Sequence, residues 1–359
     1  MSSRDPWFDN AKMTLVTLVV VGHAWTQLPE SVFNDHLYDF LYTWHMPAFV
    51  LVTGYLSRNF QVTRASLLTL VRTLAVPYVL IEAALALFRL WAGGEHLQNL
   101  WIDPHWPLWY LPALFCWRLV TPLMRRSAVA IPVAVAASLA GGLVSASTLD
   151  VARILGFLPF YVIGLHLTSE RLELLRTREA RVAAVGVLAG VWVLSGHLRT
   201  WAGSGSWLYY NDTYSSMGAS VDEGYLVRLI TLGAGVVAAA AFFALVPRRN
   251  LGWYTGMGAM TLVVYLCHGF FVKGLKYAGW PDVIEHLGLL GVVLTTVISI
   301  GIALFLAWRP VSRVLSHVLD PFGYATKQVQ QATEIAAIDP TEVVEDVLPA
   351  EALESVPSR

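Results

Sequence analysis

Long apolar runs, separated by short polar segments, divide most of the chain into ten stretches. A run of about 20 apolar residues is long enough to cross the hydrocarbon core of a bilayer as an α-helix. The pattern therefore predicts an all-α integral membrane protein with about ten transmembrane helices. The predicted spans are Lys12–Leu28, Asp39–Leu56, Ser66–Trp91, Trp106–Met124, Ala128–Ser145, Asp150–Leu167, Val182–His197, Tyr225–Val246, Gly256–Lys273 and His286–Trp308.

Lysine and arginine concentrate in every second connection between these spans. Because cytoplasmic loops of membrane proteins are enriched in these residues, ten spans with both termini in the cytoplasm account for the alternation. The opposite loops are poor in basic residues, and Arg199, Lys273 and Lys276 are the main exceptions. The residues on the predicted cytoplasmic side are Arg4, Lys12, Arg58, Arg64, Arg125, Arg126, Arg171, Arg176, Arg178, Arg181, Arg248, Arg249, Arg309 and Arg313.

The chain divides into three predicted parts, which are a cytoplasmic N-terminal segment (1–11), a membrane domain (12–310) and a cytoplasmic tail (311–359). The N-terminal segment leads into the first apolar run without a small-residue cleavage site, so we expect the first helix to stay in the mature protein. From about residue 328 the tail is acidic and contains prolines. This composition is typical of disordered segments, and we expect disorder there.

Composition agrees with a membrane protein, since 56% of the residues are hydrophobic and 14% are charged, against about 25% charged in soluble domains. The lipid bilayer is therefore a predicted partner. The net charge is −1, and no basic stripe with interleaved aromatics indicates a nucleic-acid partner. Cys116 and Cys267 lie in apolar runs without metal-ligand spacing, so no metal site is predicted.

The first span contains two ionisable residues, Lys12 and His23. Eleven residues make about three helical turns, so both side chains lie on one face, about 16 Å apart along the axis. This places Lys12 at the cytoplasmic interface and His23 near the middle of the bilayer. An ionisable group inside a membrane span is costly and is a functional hypothesis by default.

The second span contains His45, at a depth comparable to that of His23, and Pro47, which is expected to kink the helix. Two histidines at one depth in a helical hairpin are expected to form a polar pocket. A buried histidine also often does no more than hydrogen-bond a neighbouring helix. Both interpretations stay open for His45 and for His268 in the ninth span.

Two further arginines, Arg72 and Arg118, lie about 7–10 Å inside the cytoplasmic boundary by helical rise. Together with Lys12 they predict a cationic cluster that opens inward, and guanidinium groups suit phosphate. Arginines near helix ends also often extend to the interface without a further role. Arg153 and His268 lie nearer the outer side.

The longest outer loop, 198–224, mixes aromatic residues with short polar ones. Aromatic rings beside polar groups suit stacking on sugar rings and hydrogen bonding to hydroxyls. An interfacial aromatic belt is an equal alternative. The aromatic residues are Trp201, Trp207, Tyr209, Tyr210 and Tyr214.

The segment KMTLVTLVVVGH (Lys12–His23), followed by WHMPAFVLVTGYLSR in the second span, resembles acyltransferase family 3, and most of all its fucose 4-O-acetylase branch. The resemblance covers about residues 4–310. Its later landmarks are Arg72, Pro77, Tyr78, WYLPALFCWRL (Trp109–Leu119), LPFYVIGLHL (Leu158–Leu167) and VYLCHGFF (Val264–Phe271). Two features depart from the family, because the tail after Arg313 holds no fused hydrolase-like domain and the loop 198–224 has no matching pattern.

The resemblance implies a bacterial plasma-membrane enzyme that transfers an acyl group, usually acetyl from acetyl-CoA, to a hydroxyl of a carbohydrate, glycan or secondary metabolite. We expect acyl-CoA to enter from the cytoplasm and to place its phosphates on Lys12, Arg72 and Arg118. His23, helped by Lys12, then acts as general base or as transient acyl carrier. The residues expected at the substrate pocket are His45, Tyr55, Trp109, Arg153 and His268.

A transporter or flippase for a lipid-linked sugar or a proton-coupled solute is the alternative, with His23, His45 and Arg72 as relay groups. Many transporters carry inverted repeats with paired broken helices in their two halves. The sequence shows no such repeat, which favours the enzyme.

Overall fold

The computed structural model describes residues 5–96, 99–144 and 148–319, and the chain is all-helical within these ranges. Each of the ten predicted spans contains a helix. The acidic tail with its predicted disorder lies outside the described residues. The helices are α1 (Pro6–Trp25), α2 (Val32–Ser57), α3 (Arg64–Gly93, with a π-helical turn at Val71–Ala75), α4 (Tyr110–Met124), α5 (Ala130–Gly141), α6 (Val151–Leu165), α7 (Ser169–Leu174), α8 (Arg178–Gly196), α9 (Leu198–Trp201), α10 (Val221–Leu245), α11 (Trp253–Met257), α12 (Thr261–Tyr277), α13 (Trp280–Ile284), α14 (Leu289–Ala307) and α15 (Arg309–Leu319).

Four helices of the described ranges are both long enough and apolar enough to cross a membrane, namely α3, α8, α10 and α14. Their outward faces carry large apolar side chains, such as Val185 and Val193 on α8 and Val293 and Val297 on α14. Exposed apolar side chains on this scale suit a lipid environment rather than water. The bundle is therefore a helical membrane protein.

The helix α1 begins at Pro6, six residues before the predicted start at Lys12. Proline fits the first helical turn because its missing N–H would have no partner there. The Asp5 carboxylate accepts a hydrogen bond from the Trp7 N–H at 2.9 Å and caps the helix. The helix also ends at Trp25, three residues before the predicted end at Leu28, so His23 lies in its last turn.

The first turns of α1 are polar and yet buried, which the apolar pattern alone does not reveal. Asp9 and Asn10 are 6% and 0% exposed. The Asn10 amide donates to the carbonyls of Pro247 and Arg249 at 2.9 and 3.1 Å. The polar start of α1 is thus satisfied by the segment after α10, as a buried amide requires.

The helices α1 and α2 occupy the centre of the bundle. The helix α1 packs against α2, α12 and α14, whereas α2 packs against α6, α8 and α10. Apolar helices thereby separate the polar side chains of α1 and α2 from lipid, where an unsatisfied polar group is costly.

The backbones of α2 and α6 approach each other closely where the two helices cross. A Cβ atom added at Gly54 would overlap the carbonyl oxygen of Tyr161, and one added at Gly164 would overlap that of Leu51. Small residues at such crossings allow helix backbones to touch inside membranes. This contact fixes α6, which carries Arg153, against α2.

Candidate active site

The side chain of His23 is hydrogen-bonded to that of His268 on the neighbouring helix α12, with 2.8 Å between Nδ1 of His23 and Nε2 of His268. Nδ1 of His268 lies 2.6 Å from the carbonyl oxygen of Tyr265. A carbonyl only accepts, so Nδ1 of His268 carries its proton and donates. In a neutral pair, His268 Nε2 is then the acceptor and His23 Nδ1 the donor.

This chain of hydrogen bonds assigns the tautomer of His23. With the proton on Nδ1, the lone pair of His23 is on Nε2, which makes no hydrogen bond within the described residues. The ring of Trp106 lies 4.2 Å from that of His23, centroid to centroid, and restricts its orientation. His23 therefore offers a fixed imidazole nitrogen as a base.

His23 borders a cavity of about 390 Å³ near the C-terminal end of α1. This volume lies within the range of about 300–1,000 Å³ that ligand pockets occupy. Aromatic side chains form most of the wall, and a few polar groups interrupt it. The lining residues are Val19, His23, Thr26, Tyr38, Tyr42, Met46, Trp106, Pro107, Trp109, Arg153, Phe157, Leu208, Tyr209, Asn211 and Tyr265.

Two of the residues expected at the substrate pocket, Trp109 and Arg153, line this cavity. The Arg153 guanidinium lies 5.1 Å from the Trp109 ring centroid, donates to the Tyr209 carbonyl at 3.2 Å and pairs with Asp150 at 2.8 Å. Arg153 thereby fixes the loop 198–224 to the start of α6 and also borders the cavity.

Some residues of the loop 198–224 hold the loop together, and others form part of the cavity wall. Trp207 and Tyr214 are buried and stack on each other at 5.8 Å, so they hold the loop together. Only Leu208, Tyr209 and Asn211 of this loop border the cavity. Most of its aromatic residues are thus structural, and Tyr209 is the ring available to a ligand.

His45 was expected to share a polar pocket with His23, but the hydrogen-bond partner of His23 is His268. His45 is fully buried, is absent from the cavity wall, and its Nδ1 lies 2.8 Å from the Leu41 carbonyl of its own helix. The His45 ring is thus bonded to the backbone of α2 and does not border the cavity.

Tyr55 also lies away from the cavity. Its ring stacks on that of Phe8 at 4.9 Å, and the Arg58 guanidinium lies 3.9 Å from its centroid. Phe8 belongs to the first turn of α1, whereas His23 belongs to the last. Tyr55 is therefore at the opposite end of the bundle from the histidine pair.

The basic residues expected at the donor site lie on α1, α3 and α4. Lys12 Nζ forms an ion pair with Asp9 at 2.8 Å. Arg72 lies in the π-helical turn of α3, which packs against α4, the helix of Arg118. The Arg118 guanidinium lies 5.9 Å from the Phe60 ring. The structure thus places α3 and α4 beside each other, whereas Lys12 already has a carboxylate partner.

Lys12 and His23 do share one face of α1, together with Val16 and Val19 at the intervening turns. Both valines are buried, and Val19 lines the cavity. The cavity thus extends one turn below His23 in the direction of Lys12.

Sequence reasoning missed Trp106, Tyr38 and Tyr42 as cavity residues. Trp106 stands at the edge of a predicted span, where an aromatic residue is ordinarily read as an interface anchor. Tyr38 and Tyr42 are one turn apart on α2 and stack at 4.1 Å. Their helical spacing on the outer part of α2 was the available signal.

Together, the fold and the site describe a helical membrane protein in which a histidine with a free ring nitrogen borders a cavity. A family model described as an acyltransferase domain matches residues 5–308, which includes every residue that lines the cavity. The chain belongs to this acyltransferase family, and the protein is accordingly an acyltransferase rather than a transporter. No curated protein and no solved structure shows a significant match.

Proposed function

We propose that the protein transfers an acyl group, acetyl in the first instance, from acyl-CoA to a hydroxyl of a carbohydrate, glycan or glycosylated metabolite, with His23 as general base. The observation that carries this proposal is the hydrogen bond between His23 and His268, which leaves Nε2 of His23 unprotonated at the cavity wall. General bases act best when a free lone pair is held within reach of the reacting hydroxyl.

The reaction follows from this geometry. The acceptor hydroxyl lies against Nε2 of His23 and gives up its proton as its oxygen attacks the thioester carbon. A C–O bond forms, the C–S bond breaks, and the proton passes from His23 to the CoA sulfur. While His23 is positively charged, its Nδ1–H donates a hydrogen bond to Nε2 of His268. This hydrogen bond stabilises the charge.

The donor is proposed to reach the cavity from the side of Lys12. Arg72 and Arg118 are the proposed contacts of the CoA phosphates, since guanidinium groups bind phosphate in a bidentate manner. Lys12 is a weaker candidate than the sequence indicated, because Asp9 already neutralises it. The pantetheine arm would then enter the cavity at Val19 and extend toward His23.

The proposed topology has ten spans in a bacterial plasma membrane, with both termini cytoplasmic. In support, basic loops that are distant in sequence meet at one end of the bundle. Arg125 donates to the carbonyl of Arg58 at 2.9 Å, and Arg176 pairs with Asp5 at 2.7 Å. The cavity lies at the other end, so the acceptor is proposed to approach from outside.

The test uses the purified full-length protein in detergent with radiolabelled acetyl-CoA and a panel of saccharides. We expect release of CoA and labelling of an acceptor, both abolished in His23→Ala. The matched control is His197→Ala, which removes an exposed histidine and should retain full activity. Size-exclusion profiles and melting temperatures show whether each variant is folded.

The same assay separates a general base from an acyl carrier. An acyl-histidine enzyme would accumulate label on the protein when acetyl-CoA is given without acceptor. The proposed base mechanism leaves the protein unlabelled under these conditions. Transfer that survives in folded His23→Ala would refute both assignments.

A further inference from the structure

A second, more polar pocket of about 300 Å³ opens beside the cavity of His23. We call it the outer polar pocket. It shares Trp106, Arg153 and Asn211 with that cavity, so the two pockets are neighbours. Its lining residues are Glu82, Arg89, Asp103, Pro104, His105, Trp106, Asp150, Arg153 and Asn211.

Some of the charged side chains of the outer polar pocket form ion pairs and others do not. Asp150 pairs with Arg153 at 2.8 Å, and Arg89 pairs at 2.7 Å with Glu95, which lies outside the pocket. The two other carboxylates, Glu82 and Asp103, form no ion pair among the described residues. The pocket thus holds three carboxyl groups against two guanidinium groups, which disfavours a carboxylate or phosphate ligand.

The Glu82 carboxylate has spare capacity to accept hydrogen bonds. It is 1% exposed and receives only the backbone N–H of His105, at 3.1 and 3.4 Å from its two oxygens. An ionised carboxylate has about four lone-pair positions for donors. Two of these positions face no donor in the described part of the chain, which suits a ligand with several hydroxyl groups.

Two more polar atoms of the pocket are buried without a hydrogen bond within the described residues, Nε2 of His105 and Oδ1 of Asn211. Burial, together with the positive charges of Arg89 and Lys273, lowers the pKa of His105 to about 3, so the ring is neutral at pH 7. An unsatisfied buried polar group costs about 1–3 kcal/mol. A sugar hydroxyl both donates and accepts, so it matches the chemistry of both atoms.

We propose that the outer polar pocket is a second acceptor subsite, which binds the uncharged sugar ring next to the ring that is acylated. This inference rests on the proposed function and deepens it, because it names the acceptor as a saccharide of at least two rings. The two pockets lie on either side of Trp106, and each volume alone is at the low end of the range for ligand pockets.

The test compares acceptors of one and two rings. Methyl glycosides of common hexoses and deoxyhexoses, and the disaccharides that contain them, are given to the full-length protein with labelled acetyl-CoA. We expect kcat/KM for the best disaccharide to exceed that of its single-ring counterpart at least tenfold. In Asp103→Asn and in Glu82→Gln, the ratio of the two kcat/KM values should fall at least fivefold, because KM for the disaccharide rises. Transfer to single-ring acceptors should stay within twofold of wild type.

The control variant is Asp282→Asn, which alters an exposed carboxylate of another outer segment and should change neither acceptor class. Equal use of one-ring and two-ring acceptors, or a uniform loss for both classes in the variants, overturns the second subsite. The proposed function is judged separately, by whether CoA release from acetyl-CoA depends on His23. An enzyme with that dependence and no disaccharide preference retains the proposed function and lacks the subsite.

Discussion

The 2.8 Å hydrogen bond between Nδ1 of His23 and Nε2 of His268 joins two helices whose histidines lie 245 residues apart in the chain. His268 is in turn oriented by the Tyr265 carbonyl. The orientation and the tautomer of the proposed base thus depend on a second helix. His268 is a positioning residue for His23 and does not line the cavity itself.

Replacement of His268 should separate this positioning role from simple packing. In His268→Leu the acceptor for His23 Nδ1–H is lost, so both tautomers of His23 become populated. Since a positioned general base contributes about 10²–10⁴-fold to rate, we expect kcat to fall by about 10–100-fold with little change in KM. The measurement is steady-state kinetics of acetyl transfer.

Glutamine at the same position provides the control. Its amide can accept from His23 and donate to the Tyr265 carbonyl, so His268→Gln should recover most of the activity that His268→Leu loses. Equal activity of the two variants, at equal melting temperature, would mean that His268 only fills space.

A second prediction concerns the donor. Arg118→Gln should raise KM for acetyl-CoA about tenfold, equivalent to about 1.4 kcal/mol of binding, and leave kcat nearly unchanged. S-acetylpantetheine lacks the nucleotide phosphates, so its use should be insensitive to the substitution. Arg126→Gln, at an exposed position of the same end, is the control. A similar loss with both donors would place Arg118 outside the phosphate site.

The sequence indicated more about individual helices than about their neighbours. Helical periodicity placed Lys12 and His23 on one face, and each predicted span contains a helix. The start of α1 was predicted too late because the apolar run begins after Lys12. The Asp5–Pro6 pair, a common helix start, was the overlooked signal.

The partner of His23 was not predictable in the same way. A contact between adjacent helices of a hairpin is the simplest prediction, and this prediction paired His23 with His45. Which of several helices packs beside the last turn of α1 depends on side-chain fit across the whole bundle. That fit cannot be derived from the pattern of a single sequence.

Glu95 leads to a prediction for stability. It joins the end of α3 to α12, because its carboxylate accepts hydrogen bonds from Arg89, Lys273 and Tyr277 at 2.7, 2.8 and 2.6 Å. Burial raises the pKa of Glu95, but these hydrogen bonds outweigh that effect and lower it to about 2. The stabilisation is therefore complete above about pH 4.3, the value for an unfolded chain, and is lost as the pH falls toward 2.

Glu95→Gln should consequently lower the free energy of unfolding by about 2 kcal/mol at pH 7, given that hydrogen bonds to charged groups contribute about 1.5–3 kcal/mol. The difference between wild type and variant should shrink at pH 3. Thermal unfolding in detergent at both pH values measures it, with the exposed Glu285→Gln as control. A difference that is independent of pH would show that charge is not the source of the stabilisation.

The close crossing of α2 and α6 provides the last prediction. A methyl group at position 54 would overlap the Tyr161 carbonyl oxygen, which belongs to helix backbone and cannot rotate away. Gly54→Ala must therefore push α6 from α2, and overpacking of this kind costs about 1–3 kcal/mol or more. Since α6 carries Arg153, transfer activity should fall together with the melting temperature in detergent. Gly186→Ala on α8 adds the same methyl group in open space and should leave both unchanged. Wild-type stability and activity in Gly54→Ala would mean that the two helices are not held at this distance.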